Sequence, residues 1–310
     1  MERIVDIATD GQHLSAYRGF LKVERDGAEV GRIALDDIAA VIAHAHGLTY
    51  SNNLLVALAE RNALLVVCAR NHAPVACVWP LSGHHVQGGR MRAQWNANKP
   101  LIKRLWQLIV RAKILAQAAI LAAEGKPAEG LTAIAGRVRS GDPDNLEAQA
   151  ARRYWPLLMG DSFRRDRREG GINGMLNYGY TVLRASTARA VVASGLNPTI
   201  GLAHSNRANE FALVDDLMEP FRPLVDLCVK ALAESGEDDV TPHAKAALVR
   251  LLSFDMETEK GTSPIFMCLQ RLALSLAQSF EDKDADRLGL PLPPSALQLA
   301  ALRHAVTGAP

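Results

Sequence analysis

Acidic, imidazole and guanidinium side chains crowd the stretch Gly201 to Asp226, GLAHSNRANEFALVDDLMEPFRPLVD, among apolar neighbours. Pro198 and Gly201 break any regular element just upstream, so His204 falls at or before a helix start, with Asn206 or Asn209 available to cap it. Asp216 and Glu219 are one helical turn apart, which stacks their carboxylates on one face with roughly 5–6 Å between Cβ atoms. Like charges so placed repel. Phe211, Leu213, Leu217 and Met218 turn this helix toward protein rather than water, and a divalent cation between the acids would relieve the cost. A solvated acidic face beside a Pro-terminated helix, with a surface histidine, fits the same letters. Spacing alone leaves both readings open.

A further acid stands at a helix head. GDPDNLEAQAARRYWPLLMG predicts a helix capped by Asp144 or Asn145, with Glu147 in its first turn, where unpaired amides and the helix dipole favour a charged acid. Ordinary capping chemistry accounts for such a glutamate as well. Downstream, Arg164, Arg165, Arg167 and Arg168 form a basic run before a glycine-relaxed loop, and Asn173, Asn177, Tyr178 and Tyr180 then interleave with Leu and Met. Such a run is ordinarily a solvated face; beside a metal site it would neutralise phosphates and release counterions, giving salt-dependent binding largely indifferent to base. Adjacent His84 and His85 point different ways on any element and read as solvated loop residues.

These groups need a scaffold, and the pattern supplies two kinds. Residues 1–82 carry short β-like runs (RIVDIA, HLSAYRG, FLKVER, AEVGRIAL, IAAVIAH, ALLVVCA, PVACVWP), with Asp26-Gly27 as a hairpin signal and one helix, SNNLLVALAERN, capped by Ser51 or Asn52 and closed by Asn62. Residues 83–100, glycine-bearing and polar, read as a linker. Residues 101–310 have helical periodicity, predicting helices over 101–125, 128–139, 144–159, 172–195, 209–235, 241–254 and 263–280, then a Pro-rich segment ending in a short helix. The expected fold class is α+β: a small, mainly β N-terminal domain followed by a larger all-α C-terminal domain. With 48% hydrophobic residues the chain can bury a sizeable core, and a formal charge of +2 means that any nucleic-acid surface must come from local clustering. Cys68, Cys77, Cys228 and Cys268 lie far apart and read as reduced thiols. The apolar stretch around Ile114 to Ala123 is interrupted by Gln117 and short for a bilayer, so a cytoplasmic protein with no membrane partner is expected.

The wider wording is specific. DLMEPFRPLVD with His204 upstream, the motif E-x-x-x-A-R-x-Y-W met by Glu147, Ala151, Arg152, Tyr154 and Trp155, and the tract NGMLNYGY from Asn173 to Tyr180 resemble the CRISPR-associated adaptation integrase, in its type II branch. The resemblance runs from about Asp36 to Gln278. It implies a metal triad of Glu147, His204 and Glu219, the last position being Asp in many members and Glu in the type II branch. Asp216 is then either a ligand or the group that orients His204, Arg222 is a partner for one of the acids, and Asp215 is a solvated neighbour. Arg152, Arg164, Arg165, Arg167, Arg168, Asn177 and Tyr178 become candidate DNA contacts, the last two as structural support first.

Carboxylates with one imidazole suit Mg²⁺ or Mn²⁺, and no thiolate set suggests zinc. The implied function is insertion of spacer DNA into a CRISPR array by attack of a 3′-hydroxyl on a phosphodiester, with water giving strand cleavage instead. The implied partners are double-stranded spacer precursor and CRISPR repeat, a second copy of the chain joined through the β domains, a small ferredoxin-like adaptation partner completing a heterohexamer, and the type II effector nuclease as a further candidate. Two alternatives stand beside it: a stand-alone metal-dependent nuclease for branched DNA, and a non-catalytic DNA-binding scaffold whose acids only pair with Arg222 and the arginine run. An iron oxygenase with two histidines is disfavoured, since only His204 is well placed.

Overall fold

Ile38–Ala43, the run IAAVIA, is buried at every position in the computed structural model, which describes residues 3–69, 74–81, 83–166, 168–203, 209–258 and 261–307. Contacts divide the chain into two units, Met1–His85 and Val86–Pro310. In chain order the first unit contains β1 (Arg3–Ile7), β2 (Gln12–Tyr17), β3 (Phe20–Arg25), β4 (Ala28–Ala34), β5 (Ile38–Ala43), β6 (Thr49–Tyr50), α1 (Asn52–Glu60), β7 (Leu64–Cys68) and β8 (Pro74–Val78). One sheet is ordered β1-β5-β7-β8, the other β4-β3-β2-β6. β5 lies between parallel neighbours β1 and β7, and a strand covered on both faces reads as a continuous apolar run rather than an alternation. The Asp26-Gly27 hairpin forms as expected: both residues take positive φ (52° and 79°), which matches a two-residue turn to the twist of β3 and β4. Leu14, Leu21, Leu54 and Leu58 centre this unit's core. The Ser51 Oγ accepts from the Leu54 amide to cap α1.

The second unit is helical: α2 (Gln87–Trp95), α3 (Lys99–Ala123), α4 (Glu129–Arg137), α5 (Leu146–Met159), α6 (Gly171–Ala193), α7 (Ala212–Met218), α8 (Arg222–Glu234), α9 (Pro242–Arg250), α10 (Ile265–Asp282) and α11 (Ala296–Thr307). It also carries a short antiparallel hairpin, β9 (Asp255–Thr258) and β10 (Gly261–Pro264), after α9 ends short of the expected residue 254. Among the described residues α3 is the one helix long and apolar enough to cross a membrane; most of that stretch is buried inside this unit, against α4, α5, α8 and α11.

One expectation needs correction here. The segment expected as a linker, residues 83–100, contains α2. It lacks an apolar stripe because its inward side chains are polar: the Gln94 amide donates to the Asn197 and Ile200 carbonyls and accepts from the Asn197 amide, and Arg90 donates to the Ser194 carbonyl. α2 thus clamps the loop leading toward residue 204. The stretch expected as helical over 209–235 is two helices, α7 and α8, parted by a 3₁₀ turn, Glu219–Phe221, so the first ends at about Glu219, as the Pro-terminated reading has it. Pro220 and Pro223 cause the break, since each lacks an amide proton and fits only the first turn of a helix.

Candidate active site

Glu147 is held at the head of α5 by a residue outside the expected cap. Asn145 occupies the N-cap position in the left-handed region (φ 50°) without a side-chain capping bond; instead the two Asp142 carboxylate oxygens accept from the amides of Leu146 (2.8 Å) and Glu147 (3.0 Å). The expected cap position is thus met by Asn145, while the capping bonds come from Asp142. With its own amide satisfied by Asp142, the Glu147 side chain is free to turn inward toward α3. There its Oε1 lies 2.6 Å from the Lys113 Nζ.

The same ammonium lies 2.5 Å from Glu219 Oε2, and Arg222 Nη1 donates to Glu219 Oε1 at 2.5 Å. Glu219 starts the 3₁₀ corner and is 1% exposed. The corner that it opens is anchored by buried Phe221 and packs against α3. Burial alone would push the Lys113 ammonium down; the charges of Glu219 and Glu147 outweigh it and the net shift is upward, so the ammonium stays protonated. Arg222, also stacked 4.7 Å from the Tyr180 ring centroid, is raised likewise by Glu219 against its burial.

Asp216 does not share that cation. This fully buried carboxylate accepts from the amides of Leu202 (2.5 Å) and Ala203 (3.2 Å), fixing the two residues before His204. His204 and Arg167 lie outside the described residues, as does Asn206. Among the described residues no three His, Cys, Asp or Glu side chains form a metal-holding group. What is present fits a divalent ion nevertheless: one oxygen from each of two distant glutamates meets at a single cationic point, with hard oxygen donors that Mg²⁺ and Mn²⁺ prefer. Glu147 and Glu219 supply those donors.

Beside the acids is a cavity of about 160 Å³ lined by α3 (Lys113, Gln117), α5 (Ala151, Trp155), Arg165, Tyr180 and α8 (Arg222, Asp226). Asp226 is buried and hydrogen-bonded by the Tyr180 hydroxyl. Burial raises its carboxyl to about 6, against the lowering effects of Tyr180, Arg222, Tyr154 and Lys113. The buried Tyr154 hydroxyl makes no well-aligned hydrogen bond, so its help is weak. Between the ordinary carboxyl range and about 6 the folded protein holds a proton that the unfolded chain has released. Stability from this group therefore falls as pH rises through that window, by about 3 kcal/mol in all. The Asp226→Asn variant is expected to lose less melting temperature than wild type between about pH 4 and pH 7. Equal losses in parallel melts would remove Asp226 as the source.

The remaining expected residues divide. Arg152, Arg164 and Arg168 are exposed. Arg164 donates to the carbonyls of Asp161 and Phe163 within its own loop, and Arg165 donates to the side chains of Asn173 (2.9 Å) and Asn177 (2.6 Å), which ties the loop to α6. Tyr178 is fully buried beneath Lys245, which suits support of the site and not contact with DNA. Asp215, expected to be solvated, is instead largely buried and paired with Arg184 (2.7 Å) and Asn209 (3.0 Å). Asn209 also accepts from the Phe211 amide, ahead of α7. Burial pushes the Cys228 thiol up to about 12, which suits an inert core group. Sequence reasoning missed Lys113 and Asp142. The signal for Lys113 was there: a lone cation, one turn before Gln117, on an otherwise apolar helix face.

The chain thus has a β-rich unit followed by a helical one, and in the helical one two glutamates from distant elements converge among cations. The comparisons make the family definite. The profile of "CRISPR associated protein Cas1" matches residues 5–247. The CRISPR-associated endonuclease Cas1 of Neisseria meningitidis is 37% identical over 286 residues, covering 91% of this chain and 93% of that one. A casposase bound to integration product superposes with a TM-score of 0.78 at 20% identity, covering 91% of each chain. A Cas6-RT-Cas1–Cas2 complex matches with a TM-score of 0.74 at 19% identity, covering 93% of this chain and 36% of that one. The chain belongs to the Cas1 endonuclease/integrase family.

Proposed function

We propose that the protein is a metal-dependent DNA endonuclease and integrase that inserts spacer DNA into a CRISPR array by transesterification, using Mg²⁺ or Mn²⁺ held by Glu147, His204 and Glu219. The observation that carries this reading is the meeting of Glu147 and Glu219 oxygens at one cationic point, in a chain of the Cas1 family. A bound divalent ion would supply polarisation of the scissile phosphodiester and acidification of the attacking hydroxyl. The protein's own part is positional. Arg222 fixes the Glu219 carboxylate, Asp142 fixes the start of α5, and Asp216 fixes the backbone entering residue 204. Lys113, Arg165 and Arg222 bring positive charge to the cavity wall, where a phosphate oxygen would be stabilised. Exposed Arg152 and Arg168 offer further phosphate contacts. Two copies of the chain with a small adaptation partner would present two such sites to two DNA strands; the name of the Cas1–Cas2 complex among its structural neighbours supports that partner. The site of action is cytoplasmic, where the array lies.

The test is half-site integration of a 3′-hydroxyl duplex into a supercoiled repeat plasmid with Mn²⁺, with and without the small partner, for wild type and His204→Ala. We expect partner-stimulated product from wild type and none from the variant at unchanged melting temperature. Equal product from both would remove His204 from the mechanism. A second reading, the non-catalytic scaffold, is favoured by one observation: the acids are already paired with Lys113 and Arg222. It predicts DNA binding and no product from either protein. Junction cutting without stimulation by the partner would instead point to the stand-alone nuclease.

A further inference from the structure

A buried lysine occupies the point at which two acids from distant helices meet. Lys113 stands in the middle of α3 with its side chain 10% exposed, and its ammonium contacts Glu147 and Glu219 at 2.6 and 2.5 Å. Without it, two carboxylates would share a largely dry site with only Arg222 as counter-charge, an arrangement that desolvation and mutual repulsion oppose. With it, the same oxygens are already engaged by a cation. One turn along α3, Gln117 is 3% exposed, lines the adjoining cavity together with Lys113 and Asp226, and its Oε1 accepts no hydrogen bond among the described residues. A buried acceptor left without a donor is costly unless another state of the protein uses it. Residues at i and i+4 share a helix face, so a lysine side chain that swings away from the acids meets this amide oxygen and the Asp226 carboxyl.

We propose that Lys113 is a tethered counter-ion: its ammonium and the divalent metal compete for the Glu147 and Glu219 oxygens, and metal entry moves the ammonium into the cavity toward Gln117 and Asp226. Lys113 is thus a positioning residue, which keeps the acid pair assembled before the metal arrives. The inference rests on the metal-dependent reading above. Competition of this kind makes metal affinity in the wild-type protein weaker than the two carboxylates alone would permit.

The experiment is Mn²⁺ titration of the purified full chain, followed by the electron paramagnetic resonance of free Mn²⁺, for wild type and Lys113→Met, with melts in EDTA and in Mn²⁺. We expect Lys113→Met to bind Mn²⁺ about tenfold tighter or more. We also expect it to melt lower than wild type in EDTA and to gain more from Mn²⁺. Equal or weaker Mn²⁺ affinity in the variant overturns the proposal while leaving the metal reading intact. Binding by neither protein overturns both. Where the variant does not fold, a structure of Mn²⁺-loaded wild type decides: Lys113 released from at least one carboxylate supports the proposal, and retention of both contacts overturns it.

Discussion

Glu219→Gln is expected to abolish strand transfer while leaving DNA binding in place, with product formation lower by about a thousandfold or more, equivalent to about 4 kcal/mol of transition-state stabilisation. The substitution keeps the volume and one hydrogen-bond acceptor for Arg222, so the corner Glu219–Phe221 has reason to persist. It removes the negative charge that faces Lys113, and with it one of the two hard oxygen donors that the proposed metal site takes from α5 and the corner. A neutral amide oxygen is a poor substitute for a carboxylate toward Mg²⁺ or Mn²⁺. The check is half-site integration at saturating metal, paired with filter binding of the same duplex and a thermal melt. Product within about tenfold of wild type, at unchanged melting temperature, would exclude Glu219 as a ligand.

The largest loss of stability is expected at Phe221→Ala, about 3–5 kcal/mol. Phe221 is 1% exposed, and it sits in a turn two residues after Glu219, where Pro220 has already removed one helical hydrogen bond. The corner is therefore held by side-chain packing more than by its backbone. Truncation leaves a cavity that α3 and α8, both long and packed on other neighbours, are poorly able to close. Urea unfolding followed by circular dichroism measures the change as a shift in midpoint at constant slope. Under conditions where the variant remains folded, integration should fall as well, because Glu219 loses its fixed aim. A cost below about 1 kcal/mol would mean that the prolines alone hold the corner.

Local chemistry was legible wherever one element decides its own form. The Asp26-Gly27 turn, the Ser51 cap of α1 and the β-then-α division follow from residue types and periods of two and 3.6, and Glu147 falls in the first turn of α5 as its flanking letters predict. The wording around Glu147, His204 and Glu219 likewise carried the family without any coordinates. α2 escaped because a helix that docks through Gln94 and Arg90 shows no apolar stripe, and the split between α7 and α8 was blurred because prolines end one helix and begin the next equally well. Only the tertiary structure could put Lys113 between two glutamates, Asp142 under Glu147, Asp216 on the backbone before residue 204 and Asp226 against Tyr180. Charge pairing in a buried site depends on distances between side chains far apart in the chain, and a linear pattern records which groups exist without recording which of them meet.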